Sequence, residues 1–205
     1  MRTSEHVKSV LAAVCGLMLG GMARAEPIVQ NPSFEIDKYG KSPGYASQNG
    51  GRITGWQYTG SVGINPYWDD PATQRGVEHA FTDNGLVPHG RQVCFLQNKC
   101  ELRQTIAGFE AGRRYQVTYY ENARHNRAPE RNPRLTVTLG GETIVSLHAI
   151  KPVENIEART LPYNFVESAV FAAPATGSFD LVFTTTFPDR VAALIDNVQI
   201  VALGR

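Results

Sequence analysis

Short runs of β-branched and aromatic residues recur along this chain, each cut off by Gly, Pro, Asn or Asp. Candidate strands cover 28–36, 52–59, 91–97, 101–107, 114–121, 134–139, 143–149, 164–172, 178–186 and 191–202. Turn signals separate them at Gly50-Gly51, Asn84-Gly85, Gly140-Gly141 and Pro174–Gly177. No long stretch keeps the 3.6-residue spacing of an amphipathic helix, and only 151–162 suggests one short helix. The absence of visible crossover helices speaks against a parallel α/β sheet, and the pattern predicts an all-β antiparallel sandwich or barrel. The longer irregular stretches, 37–51, 60–90 and 122–133, lie between the strands, and the first two carry embedded aromatics; long ordered loops on a rigid sandwich carry function.

The N-terminus reads as a removable export signal. Arg2 and Lys8 precede an uncharged apolar run from Val10 to Met22, which ends in Ala23-Arg24-Ala25. That layout predicts cleavage after Ala25. Thirteen apolar residues fall short of the roughly 18 needed to span a bilayer. The expected domains are therefore a signal peptide, 1–25, and one sandwich, 26–205, secreted to the periplasm or the exterior. The exported part holds 17 basic and 18 acidic residues, which makes no case for nucleic acid or an anionic membrane as partner. It keeps two of the three cysteines, Cys94 and Cys100, and in an oxidising compartment they are expected to form a disulfide stapling one hairpin about the FLQNK turn.

No catalytic constellation appears. G-x-S-x-G and H-E-x-x-H are absent, and His79, His89, His125 and His148 lack metal-ligand spacing. Paired carboxylates for glycoside chemistry are a matter of spatial separation, which leaves Asp69-Asp70 beside Tyr67-Trp68 as the place to look. A non-enzyme is expected.

Two motifs stand at opposite ends: NPSFE (Asn31–Glu35) and LIDNVQI (Leu194–Ile200). Their pairing resembles the galactose-binding-like jelly rolls, including carbohydrate-binding modules attached to xylanases. Between them ITGW (53–56), FTDNGLVPHGRQVCFLQ (81–97), LRQTIAGFEAGRRYQVTYYENAR (102–124) and PRLTVTLGG (133–141) resemble the domain-of-unknown-function 642 family of plant cell-wall and exported bacterial proteins. The resemblance spans 28–202 and implies a jelly-roll sandwich of the galactose-binding type. Bacterial relatives often continue into a C-terminal sorting tail, which this chain lacks, so a released protein is expected; the further cysteines of plant members are also missing.

Three places stand out as sites. Along the last strand Leu194, Asp196, Val198 and Ile200 share one face, so Asp196 sits in an apolar row where an unpartnered carboxylate is costly. Glu35 comes from the matching place at the other end. Two carboxylates with loop carbonyls would suit Ca²⁺, and related jelly rolls hold a structural calcium with the Glu and Asp of these motifs. The alternative is that both accept hydrogen bonds without metal. On strand 114–124, Tyr115, Val117 and Tyr119 point into the core. Gln116, Thr118, Tyr120, Asn122 and Arg124 point out, a polar face with one aromatic as sugar binding requires, with Gln97 nearby. Asn122-Ala123-Arg124 matches the family's Asn-Ala-Arg. The third place is the loop pair Tyr67-Trp68 and Asp83-Asn84. Together these residues predict a secreted, non-catalytic carbohydrate-binding or cell-wall-associated module with a polysaccharide partner. The rival is a structural or adhesive matrix protein working through protein contacts, and a glycan-active enzyme comes third.

Overall fold

A computed structural model describes residues 26–41, 43–65, 85–124, 132–153, 162–186 and 191–204. The signal segment 1–25 and the expected loop residues Tyr67, Trp68, Asp83 and Asn84 lie outside the described residues, as does most of the expected helix. Nine strands are described: β1 (Gln57–Ile64), β2 (Cys94–Phe109), β3 (Arg114–Ala123), β4 (Arg134–Leu139), β5 (Glu142–Ala149), β6 (Asn164–Glu167), β7 (Phe171–Ala172), β8 (Gly177–Thr185) and β9 (Ala192–Leu203). All strand pairs are antiparallel, in the order β5-β4-β8-β2-β9-β3-β6, with β1 also on β2 and β7 also on β3.

Strand β2 builds the two layers. Its first part, 94–97, pairs with β9, while 100–109 pair with β8. Between them lies an irregularity opposite Thr59/Ser61, with Asn98 at a positive φ of 65°. Extra residues on one strand bend it and raise its twist, which lets a strand turn the corner between facing layers. The layers then meet across the core: Tyr119 of β3 stands edge-on to Phe183 of β8 with centroids 5.2 Å apart. Opposite edges also approach, where the Ala169 amide donates to the Ile144 carbonyl at 2.8 Å. The sheet is thus a curled, all-β jelly-roll sandwich.

Three expectations need correction. The segment 28–36 forms a turn rather than a strand, with Asn31 and Phe34 at positive φ. This puts the Phe34 ring in the core 5.5 Å from Trp56, whose indole N–H donates to the Asn31 carbonyl. The hairpin expected at 91–107 is one continuous strand. Its two cysteines consequently lie either side of the β2 corner instead of facing each other across a turn, and no disulfide joins Cys94 and Cys100, which are buried free thiols. Cys100 contacts the Thr185 hydroxyl at 3.1 Å, and burial pushes its thiol up to about 11, away from reactivity.

Candidate functional site

The end motifs do meet. The Val198 amide donates to the Pro32 carbonyl at 2.9 Å, laying NPSFE against the last strand. Asp196 is fully buried; its Oδ2 accepts the His89 amide at 2.8 Å and its Oδ1 the amide of Asn197 at 2.8 Å. Glu35 Oε1 accepts the amides of Arg91 and Gln92 at 2.7 and 2.6 Å. The segment 89–92 is therefore clasped by one carboxylate from each end of the domain. Gly90 makes the approach possible: its φ is +69°, and a Cβ there would stand 2.4 Å from Glu35 Oε1. Burial raises the Asp196 carboxyl to about 8, the two backbone amides pull against that, and the charge of Glu35 adds to the rise. The hydroxyl of Ser33 lies close enough to favour the ionised form, though outside good hydrogen-bond geometry. Among the described residues no group of three or more acidic, His or Cys side chains forms a metal cage, so a cation here would need main-chain carbonyls to complete its shell.

Strand β3 splits as its alternation predicts, with Tyr115, Val117 and Tyr119 fully buried in the main core. The outward face is not one surface. Toward the C-terminal end of β3 it is roofed, and Val93, Phe95, Tyr163, Ala192 and Leu194 form a second buried cluster that Tyr45 and Tyr120 pack against. Asn122 is fully buried in this roofed part. Its Oδ1 accepts the amides of Ala123 and Val153, each at 2.9 Å. Gln97 is buried as well and accepts the Tyr45 hydroxyl. Both amides expected to meet sugar instead hold loops down on the sheet. Arg124 is half-buried just beyond β3, where its amide donates to the Ala192 carbonyl.

Away from the roof the same face is more open among the described residues, although Thr118 on it is buried. Tyr120 is half-buried and pairs in register with Phe165 of β6, which is 54% exposed; their rings lie 5.1 Å apart at 54°. The next row aligns Glu167, Thr118 and Gln199, with both Glu167 and Gln199 exposed. The row after it pairs Gln116 with Val201. Gln199 donates to the Asn197 side chain at 2.9 Å. The pairing of Phe165 with Tyr120 was missed because 164–172 alternates poorly; its signal was an aromatic between Asn164 and Glu167 in a polar run.

One buried acid plays a different part. Glu121, 5% exposed, is turned inward and bridges the layers by holding His148 of β5. His148 Nε2 lies 2.8 and 3.1 Å from the two carboxylate oxygens and Nδ1 lies 3.0 Å from the Ser146 carbonyl. Both partners are acceptors, so both ring nitrogens donate and the geometry suits imidazolium. The hydrogen bond to Glu121 raises the His148 pKa above its ordinary value, against the pull of burial and helped by the carboxylate charge. With both nitrogens occupied, this pair is a brace rather than a base aimed at a ligand.

No protein-family model matches the chain, and no curated protein matches it either. The likeness to the domain-of-unknown-function 642 family therefore rests on motifs alone. Solved structures do match. TmCBM61, solved in complex with β-1,4-galactotriose, is 13% identical with a TM-score of 0.53, covering 87% of this chain and all of its own. The CBM22-1 xylan-binding domain of Paenibacillus barcinonensis Xyn10C is 14% identical with a TM-score of 0.50, over 89% of this chain and 99% of its own. A cyclase from Fischerella sp. TAU, in complex with 4-(1H-indol-3-yl)butan-2-one, is 15% identical with a TM-score of 0.51, over 88% and 98%. At such identities the finding is one of fold: this chain is built on the β-sandwich jelly roll that carbohydrate-binding modules share with at least one enzyme.

Proposed function

We propose that this chain is an exported, non-catalytic carbohydrate-binding module that holds a polysaccharide on the more open part of the β3–β6 face. The observation that carries the reading is the exposed Phe165 ring beside Tyr120, set in a sheet face that also carries the amides of Gln116 and Gln199, the carboxylate of Glu167 and the apolar Val201. Sugar rings stack their C–H faces on such aromatics and offer their hydroxyls to such polar groups. The fold shared with the galactotriose-bound TmCBM61 and the xylan-binding CBM22-1 supports it. Export rests on the N-terminal segment 1–25.

A glycan array and polysaccharide pull-down on the full chain test the proposal. Wild type should bind, and Tyr120→Ala and Phe165→Ala should each weaken binding by roughly tenfold or more, about the value of one lost stacking contact. Retained binding in both variants would move the site elsewhere. No glycan binding, with self-association in light scattering, would favour the adhesive reading.

Calcium belongs to the structural side of this proposal. A divalent cation between Glu35 and Asp196 would offset the burial that chiefly raises the Asp196 carboxyl and the smaller repulsion from Glu35. EDTA should then lower Tm. An unchanged Tm with no metal in elemental analysis would leave the clasp as hydrogen bonds alone.

A further inference from the structure

We infer that Glu167 is the specificity-determining residue of this face and that it selects uncharged, hydroxyl-rich glycans over uronate-bearing ones. The inference rests on the proposed binding role of the Phe165–Tyr120 platform and adds the chemistry of its ligand.

The placement follows from register. Phe165 and Glu167 are two residues apart on β6 and so share a face, while Val166 between them packs against the main core. Glu167 aligns with Thr118, one row from Tyr120, so its carboxylate stands diagonal to the Tyr120 ring and beside Phe165. Diagonal neighbours across antiparallel strands lie ~7 Å apart, so a sugar seated on the two rings would bring its hydroxyls toward the carboxylate. The side chain is exposed and takes no part in the described ion pairs, so it meets a ligand as a free acceptor.

The described rows of this face carry no cation; Lys151, whose carbonyl accepts the Asn164 side chain at 3.0 Å, stands at the other end of β6, three residues or ~10 Å from Glu167. Gln116, Thr118, Gln199 and Val201 are neutral. The described basic residues nearest along β3 on this side are Arg124 and Arg114, four and six positions from Tyr120. At 3.3 Å per residue these lie ~13 and ~20 Å away, beyond a Debye length of roughly 8 Å at physiological salt. A glycan hydroxyl can donate to the Glu167 carboxylate; a uronate carboxylate can only be repelled by it. Two unit charges ~7 Å apart in water repel by about one RT, a factor of roughly 3, and toward tenfold as the local dielectric falls.

The test compares matched ligands that differ in charge. Affinity electrophoresis of the full chain would use xylan with and without glucuronate branches, and polygalacturonate with its methyl ester. Wild type should bind the neutral member of each pair threefold to tenfold more tightly at low salt, and the gap should close at high salt. Glu167→Gln should abolish the gap, and Glu167→Lys should reverse it. The position is an exposed edge, and a thermal melt of each variant checks the fold. Equal or tighter binding of the uronate members by wild type, or an unchanged ratio in Glu167→Lys, would overturn the inference while leaving carbohydrate binding intact. Failure of wild type to bind any member would bring down the binding reading itself, and the inference with it.

Discussion

The two faces of β3 obey the same alternation and end in different states. Its inward face carries Tyr115, Val117 and Tyr119, all fully buried against the opposite layer. Its outward face is divided: Asn122 is as buried as the core, while Tyr120 is half-open beside Phe165. The inward face is covered by another strand layer, which the fold guarantees. The outward face is covered only where loops reach it, and the amides of Gln97 and Asn122 are what pin those loops. A polar residue on a sheet face thus marks either a surface or a roof, and the hydrogen-bond partners decide which.

Breaking the inward face should cost most. Tyr119→Ala removes a ring packed on Phe183 and one partner of Glu121, and about 3–5 kcal/mol of stability should vanish in denaturant unfolding. A loss under 1 kcal/mol would mean that the layers do not meet there. Breaking the roof should cost less. Asn122→Ala orphans the amides of Ala123 and Val153, an effect of about 2–3 kcal/mol, together with faster hydrogen exchange at Val153. Exchange at Val153 unaltered by the substitution would detach that loop from the sheet.

The brace between layers is smaller and carries a pH signature. His148 has a raised pKa when folded, so its contribution is whole below the ordinary His value of ~6.5 and fades as pH climbs through the folded value. His148→Ala should lower stability by about 1 kcal/mol at pH 5.5, the ring being a third exposed, and by less at pH 9. A pH-independent difference would remove the charge from the interaction. Phe165→Ala comes last, with stability expected within about 0.5 kcal/mol of wild type because the ring is largely in water.

Much of this was legible in the residues. Strands 114–121, 134–139, 143–149, 178–186 and 191–202 match β3, β4, β5, β8 and β9 within two residues at each end, because β-branched and aromatic runs met clear turn signals. The meeting of NPSFE with the last strand followed from the jelly-roll resemblance of the paired end motifs, and the apolar row added that Asp196 would need partners. What failed were the places where backbone, not side-chain pattern, decides. Asn98 reads as a hairpin turn residue, yet its positive φ serves a corner inside one long strand. Asn31 and Phe34 likewise turn a strand-like run into a clasp.

By itself the sequence determined the class of fold, which residues of each strand share a face, and that Asp196 would need partners, because periodicity and the cost of burying charge are local facts. Tertiary structure alone decided that Cys94 and Cys100 stay unbonded, that segment 89–92 supplies the amides for Asp196 and Glu35, and that Phe165 packs beside Tyr120. Those outcomes depend on contacts between segments tens of residues apart. Strand pairing and loop coverage set such contacts, and no local pattern encodes them.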